Sequence, residues 1–173
     1  MYFTSDTHFG DARVLALDRR PFPSVRAHDE ALVEFWNETV GRDGVVWHLG
    51  DFARAGSADV DALLSRLNGT KHLVIGNNDT AGAISSTDWA SAQHYAELPV
   101  EGRLLVLCHY PFQTWNQMGK GSINLHGHSH GRLRAATRQH DVGVDAWNYR
   151  PVGLDRLLAT ASRGRRAAAS KST

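Results

Sequence analysis

The chain has almost no cysteine: Cys108 is the only one in 173 residues. An internal disulfide is therefore excluded, which fits a reducing compartment. Cys108 ends the apolar run Leu104-Leu105-Val106-Leu107, so it reads as a small buried hydrophobe rather than a reactive thiol. No apolar run approaches the ~20 residues of a membrane span. The N-terminus, Met1-Tyr2-Phe3-Thr4-Ser5, lacks the charged segment and apolar stretch of a signal peptide, so the expected address is the cytoplasm, with no membrane partner. Charge of one sign is also missing. Lys and Arg number 19 against 18 Asp and Glu, which leaves +1 and no broad basic field of the kind that marks dedicated nucleic-acid binders. Repeats, low-complexity tracts and internal linkers are absent too.

What is present is enough apolar residue, 42%, for one folded domain, expected over residues 1–162, with a basic, fraying tail from Arg163 to Thr173. Histidine is abundant, with ten residues. Several fall in five short polar clusters that each end an apolar run: Asp6-Thr7-His8, Gly50-Asp51, Gly76-Asn77-Asn78-Asp79, His109 and Gly127-His128-Ser129-His130.

The runs themselves read as alternating strands and helices in the first half. Met1 to Ser5 is an expected strand, and Asp11 is placed to cap a helix through Val14 and Leu17. Pro21-Phe22-Pro23 breaks the chain. A helix from Ser24 or Asp29 then buries Ala31, Leu32, Phe35, Trp36 and Val40. The strand Val45–Leu49 follows. Ser57 is an expected N-cap for a helix with the stripe Val60, Leu63, Leu64 and Leu67, stopped by Asn68-Gly69. The strand His72–Ile75 comes next. Residues 80–92 carry no clear pattern. The second half is mostly strand: 95–100, 104–107, 122–126 and 141–144, with a short helix or strand over 154–158. This order predicts an α/β layered domain with a mixed sheet or two sheets.

Taken singly, the clusters have plain structural readings. Asp-x-His serves as a turn or cap, Gly-Asp as a turn, Gly-Asn-Asn-Asp as a loop, and a lone His109 as a satisfied core residue. Gly-His-Ser-His is more specific, because residues two apart on a strand face the same side. Jointly the clusters say more. Carboxylate, carboxamide and imidazole are ligands for Mn²⁺, Fe²⁺ or Zn²⁺, and strand ends at one sheet edge converge in space. The expected chemistry is a pair of metal ions that bind and cleave a phosphate ester.

In content and order the clusters resemble those of the calcineurin-like metallophosphoesterases, over roughly residues 1–150. The likeness is to the compact bacterial and phage type without a cap domain. The resemblance implies a fold of two mixed β-sheets in a sandwich flanked by helices (α/β/β/α). It implies a cofactor of two divalent transition-metal ions, manganese foremost, with iron, zinc, nickel or cobalt also suited. Asp6, His8 and His130 would hold the first ion, Asn77, His109 and His128 the second, and Asp51 would bridge them. Attack by a metal-bound hydroxide on a phosphodiester or nucleotide-type substrate follows from the same likeness.

Position 78 departs from the family pattern, which has His there. Asn78 can donate a hydrogen bond but cannot act as a general acid, so good leaving groups should be cleaved better than alkyl alcohols. Asp11 likewise stands where relatives often carry a second His. Asp51, Asn78, Asp79 and Arg54 form the expected catalytic group, with Arg54 touching phosphate or pairing with Asp79. Asn78, Tyr110, Trp115 and Asn148 are the expected substrate contacts, and the segment Asp145-Ala146-Trp147-Asn148-Tyr149 is expected either near the pocket rim or orienting a metal-bound His. Two other functions compete. A nuclease would use Arg163-Gly164-Arg165-Arg166 and Lys171 on a nucleic-acid backbone. A non-catalytic interaction module would have kept the fold and lost the chemistry.

Overall fold

A computed structural model describes residues 1–54, 56–134 and 136–159. The basic segment with Arg163, Arg165, Arg166 and Lys171 lies outside the described residues.

Strand β1 (Tyr2–Thr4) is followed by helices α1 (Arg13–Leu17) and α2 (Val25–Thr39), then β2 (Val45–His48), α3 (Ser57–Arg66), β3 (Thr70–Val74), α4 (Ala81–Ile84) and β4 (Ser91–Gln93). Strands β5 (Tyr95–Val100) and β6 (Arg103–Cys108) form a hairpin. Its two-residue turn sets both Glu101 and Gly102 at positive φ, which matches the twist of the strands. Then come β7 (Ile123–His126), β8 (Gln139–Asp141) and β9 (Val152–Gly153). A helix α5 covers residues 154–159. No helix among the described residues is long and apolar enough to cross a membrane.

Two mixed sheets result. The first has the order β4-β3-β2-β1-β9, parallel except for the β1–β9 pair. The second has the order β5-β6-β7-β8, parallel except for the hairpin. Period-two alternation divides the core. Val46 and Leu73 point to α2 and α3, where they meet Leu32, Trp36, Val60 and Leu64. Their neighbours Phe3, Trp47 and Val74 point to the second sheet, where they meet Leu105, Leu107, Ile123 and Leu125. Burial of each such side chain stabilises by about 1.5–3 kcal/mol. Trp36 keeps its polar atom satisfied by donating Nε1–H to Asn68 O at 3.0 Å.

Helix α2 starts at Ser24, whose hydroxyl accepts from Ala27 N. Its buried stripe is His28, Leu32, Val33 and Trp36. Phe35, expected inside, is instead half-buried beneath the Arg150 guanidinium at 4.4 Å. Three expected boundaries shift. Ala12 caps α1, while Asp11 accepts from Arg13 N just beyond it. Gly56 occupies the cap of α3 and Ser57 is its first residue. The expected strand 141–144 splits into β8 and a 3₁₀ turn at Val144–Ala146, because Asp141 turns back to accept from Gly143 N.

This topology positions the site. The carboxyl ends of β1, β2 and β3 lie at one edge of the first sheet, and those of β6 and β7 at one edge of the second. The two edges meet where Ser5 bridges to Gly143 and His128 N donates to the Asp6 carboxylate.

Candidate metal centre

Each polar cluster begins where its strand stops, and tertiary bonds then hold the backbone. Asp6 N donates to Gly50 O at 3.0 Å and His8 N to Asp51 O at 3.0 Å. His128 N donates to both carboxylate oxygens of Asp6, at 3.1 and 3.0 Å. Five of the seven expected ligands have left-handed backbones: Asp6 (φ 58°), His8 (52°), Asp51 (58°), His128 (65°) and His130 (48°). That region is costly for side chains with a Cβ, so the surrounding structure must enforce it, and such enforcement clusters at functional sites. Glycines allow the close approach. A Cβ on Gly127 would fall 1.9 Å from Ser5 Oγ, and one on Gly76 2.4 Å from Asp51 Oδ1.

The side chains converge. Asp6, His8 and His130 offer ligand atoms within 4.8 Å of one another, as do Asp6, Asp51 and His109. Asp51 stands between two imidazoles, 3.6 Å from His8 Nε2 on one oxygen and 3.6 Å from His109 Nε2 on the other. The exposed His128 ring packs edge-on against His109 at 5.1 Å.

Hydrogen positions show what the cluster lacks. His109 Nδ1 lies 2.8 Å from the carbonyl of Leu49, which only accepts, so Nδ1 carries the hydrogen. The neutral ring then aims an Nε2 lone pair at Asn77 Oδ1, 3.0 Å away. His130 Nδ1 lies 2.8 Å from Asp145, which leaves Nε2 directed toward Asp6 Oδ1 at 3.8 Å. His8 Nε2 is buried with no hydrogen-bond partner. Lone pairs facing lone pairs in a buried pocket are what cations satisfy. The titration behaviour agrees. Burial pushes Asp6 up to about 8 and pulls His8 down to about 4, and it also lowers His109. At Asp6, His8 and His109 the protein alone favours the uncharged form, and neutral imidazoles are ready to ligate, whereas at His130 the bond to Asp145 and the nearby Asp6 and Asp18 carboxylates outweigh burial and raise it. These donors therefore fit the implied ions.

Asp79 accepts from Asp51 N (3.0 Å), Phe52 N (2.7 Å) and Gly76 N (2.7 Å), so it ties the β2 and β3 loops together. With its oxygens so engaged, it makes no pair with Arg54. Arg54 lies instead in a separate groove with Gly10, Asp29 and Arg66. Asn78 is bonded to the central carboxylate, with N to Asp51 Oδ1 at 2.8 Å and Nδ2 to Oδ2 at 2.7 Å. A cleft of about 400 Å³ opens above His8, Asp51, Asn78, His128 and His130. Tyr110 stands beside it, edge-on to His128 at 4.8 Å. Trp115 and Asn148 do not line it. Trp115 is half-buried, with Nε1 turned inward. His48 is fully buried, bonds Thr7 Oγ1 at 2.9 Å and sits edge-on to Phe52. His126 is buried with Nδ1 near Gly127 O.

One residue escaped the sequence reading. Arg20, completely buried, donates to Asp6 O (2.6 Å) and Thr7 O (3.0 Å) and forks onto Asp145 (2.9 and 2.7 Å). Asp145 in turn holds His130. The one available signal was the position of Arg20 directly before Pro21 at the end of the first helical pattern, which does not imply burial.

No family model matches the chain. It is 34% identical over 180 residues to the gene 66 protein of Mycobacterium phage D29, covering 86% of this chain and 89% of that protein. Among solved structures it is similar to AQ665 of Aquifex aeolicus, a protein of unknown function. The TM-score is 0.72 at 21% identity, over 92% of this chain and 97% of that one. A looser likeness, with a TM-score of 0.48 at 13% identity over 82% and 76% of the two chains, is to YfcE, a phosphoesterase from E. coli.

Proposed function

We propose that this chain, which belongs to the family of the gene 66 protein of Mycobacterium phage D29 and shares its two-sheet fold with AQ665, is a compact calcineurin-like metallophosphoesterase that hydrolyses phosphate esters with two divalent metal ions. The observation that carries this reading is the apposition at Asp51: two imidazole nitrogens 3.6 Å from its two oxygens, with the Asn77 carbonyl 3.0 Å from one of those nitrogens.

Asp6, His8 and His130 would hold the first ion, and Asn77, His109 and His128 the second, with Asp51 shared. Bound there, the ions supply a water of lowered pKa and charge to offset the phosphoryl oxygens. Mn²⁺ is the first expectation, and Fe, Zn, Ni and Co ions also suit the donor set.

The chain's own residues do the rest. Asp79 fixes the loop that carries Asn77 and Asn78. Asp145 keeps the hydrogen of His130 on Nδ1, so that Nε2 faces the site. Asn78 lies at the cleft beside Asp51 and, with one Nδ2 hydrogen bonded to that carboxylate, offers the other to a departing oxygen without supplying a proton. Phenol-like and phosphate leaving groups are therefore favoured over alkyl alcohols. The open cleft suits a diester or nucleotide-type substrate.

The test is a turnover screen of aryl monoesters, aryl diesters and cyclic nucleotides on metal-stripped protein, with each ion added back. Metal-dependent hydrolysis that is abolished by Asp51→Asn supports the proposal. Absence of turnover with every ion, or turnover indifferent to Asp51, contradicts it.

A further inference from the structure

The outer wall of the cleft is built from side chains that belong to none of the five clusters. Arg13, at the start of α1, and Arg132, just after the Gly-His-Ser-His segment, both line it. Each is bonded to a carboxylate. Arg13 meets Asp11 through Nε (2.9 and 3.0 Å) and Nη2 (2.5 Å). Arg132 meets Asp18 through Nη2 at 2.5 Å and the Leu17 carbonyl at 3.1 Å.

In both pairs the carboxylate faces the protein and the cation faces out. The Asp11 and Asp18 side chains are 4% and 8% exposed, whereas those of Arg13 and Arg132 are 53% and 64% exposed. Nη1 of Arg13 and Nε and Nη1 of Arg132 make no hydrogen bond among the described residues. Pairs that served only to neutralise two acids would not need both guanidinium edges in one cleft. The carboxylates reduce side-chain freedom and hold those edges, which pre-organises them for an oxyanion.

The wall also lies beside the proposed centre. Asp18 Oδ1, which holds Arg132, is 3.4 Å from His130 Nδ1. Asp11 N bonds His8 O at 3.1 Å. An anion held by these arginines therefore stands next to whatever occupies the His8–His130 side of the site.

We propose that Arg13 and Arg132 form an oxyanion subsite for a second phosphate adjoining the scissile one, so that the preferred substrates are phosphodiesters or phosphoanhydrides bearing a neighbouring phosphate. The inference rests on the phosphoesterase reading above. The shared chemistry has two sources, an oligonucleotide with a terminal phosphate and a dinucleoside polyphosphate.

The experiment uses the full chain loaded with Mn²⁺. It compares kcat/KM for the thymidine dinucleotide with and without a 5′-phosphate, and for the β-p-nitrophenyl ester of ADP, which stands for a dinucleoside polyphosphate, against the p-nitrophenyl ester of AMP. Bis(p-nitrophenyl) phosphate serves as the substrate without a second phosphate. The wild-type protein should favour the phosphate-bearing member of at least one pair by about tenfold or more. The preference should shrink to within about threefold in the Arg13→Gln, Arg132→Gln double variant. Arg13→Lys, Arg132→Lys, which keeps charge but not the fork, should retain part of it. The pair that shows the preference identifies the source. Hydrolysis of the p-nitrophenyl diester with no preference in either pair, or a preference that survives the glutamine variant, overturns the subsite alone. Hydrolysis of nothing overturns the phosphoesterase reading and the subsite with it.

Discussion

Replacing Arg20 by Met should both loosen the fold and weaken the first ion site, and the two effects are separable. The Arg20 side chain is fully buried and makes five polar contacts of 3.0 Å or less: to the Asp6 and Thr7 carbonyls, to both oxygens of Asp145 and to His28 Nε2. Methionine fills similar space but donates nothing. Asp145, 11% exposed, would be left without its cation, and two buried carbonyls would lose their donors. Breaking a buried pair from one side costs roughly 3–5 kcal/mol. At about 2–4 °C per kcal/mol for a chain of this size, the metal-free protein should melt at least ~6 °C lower. The second effect runs through Asp145. Once released, it no longer fixes the His130 ring, and loss of such outer support typically lowers metal affinity about 10–100-fold. Calorimetric titration of metal-free protein with Mn²⁺ should show that fall in one of two binding steps while the other holds. Asp145→Asn should reproduce the affinity loss with a comparable melting change, because it leaves the fully buried Arg20 cation unpaired. A melting shift under ~2 °C with both binding steps intact would refute the assigned role of Arg20.

Asn78→His should raise turnover of alkyl phosphoesters more than that of aryl phosphoesters, because general-acid help matters most for poor leaving groups; equal effects on both would contradict the reading of position 78. Burial holds His48 down to about 3, against about 6.5 in an unfolded chain. The native state therefore binds fewer protons than the unfolded state between those values. Stability is independent of His48 above pH ~6.5 and falls as pH drops below it, by up to about 1.4 kcal/mol per pH unit. Denaturant unfolding of wild type and His48→Gln at pH 7 and pH 5 checks this: the variant should lose less on acidification, and an unchanged slope would contradict it. Gly127→Ala should unfold or distort the site, since its Cβ would overlap Ser5 Oγ at 1.9 Å; a wild-type melting temperature with full metal binding would show that the loop has room the structure does not display.

The convergence of the polar clusters could be read from sequence because each cluster is local. It directly follows an apolar strand, and parallel strands bring such ends to one edge. The same locality explains the α2 cap at Ser24 and the β5–β6 hairpin. What escaped is long-range or conformational. Arg20 and Asp145 lie 125 positions apart and reveal their partnership only when β1 and the Val144–Ala146 turn come together. The left-handed backbones at Asp6, His8, Asp51, His128 and His130 carry no glycine signal, because tertiary bonds impose them. Arg54 and Asp79 are compatible in charge, yet backbone amides reach the carboxylate first. Residues 80–92 had no apolar period to read. They settle into short α4, capped by Thr80, and the three-residue β4, with Trp89 anchoring them by donating to Ala83 O.

Anomalous diffraction from crystals soaked in Mn²⁺ addresses the core of this account. The arrangement around Asp51 predicts two peaks about 3.5–4 Å apart, one on each side of its carboxylate. The first should lie against Asp6, His8 and His130, and the second against Asn77, His109 and His128. A single peak, or peaks away from these seven side chains, would contradict it.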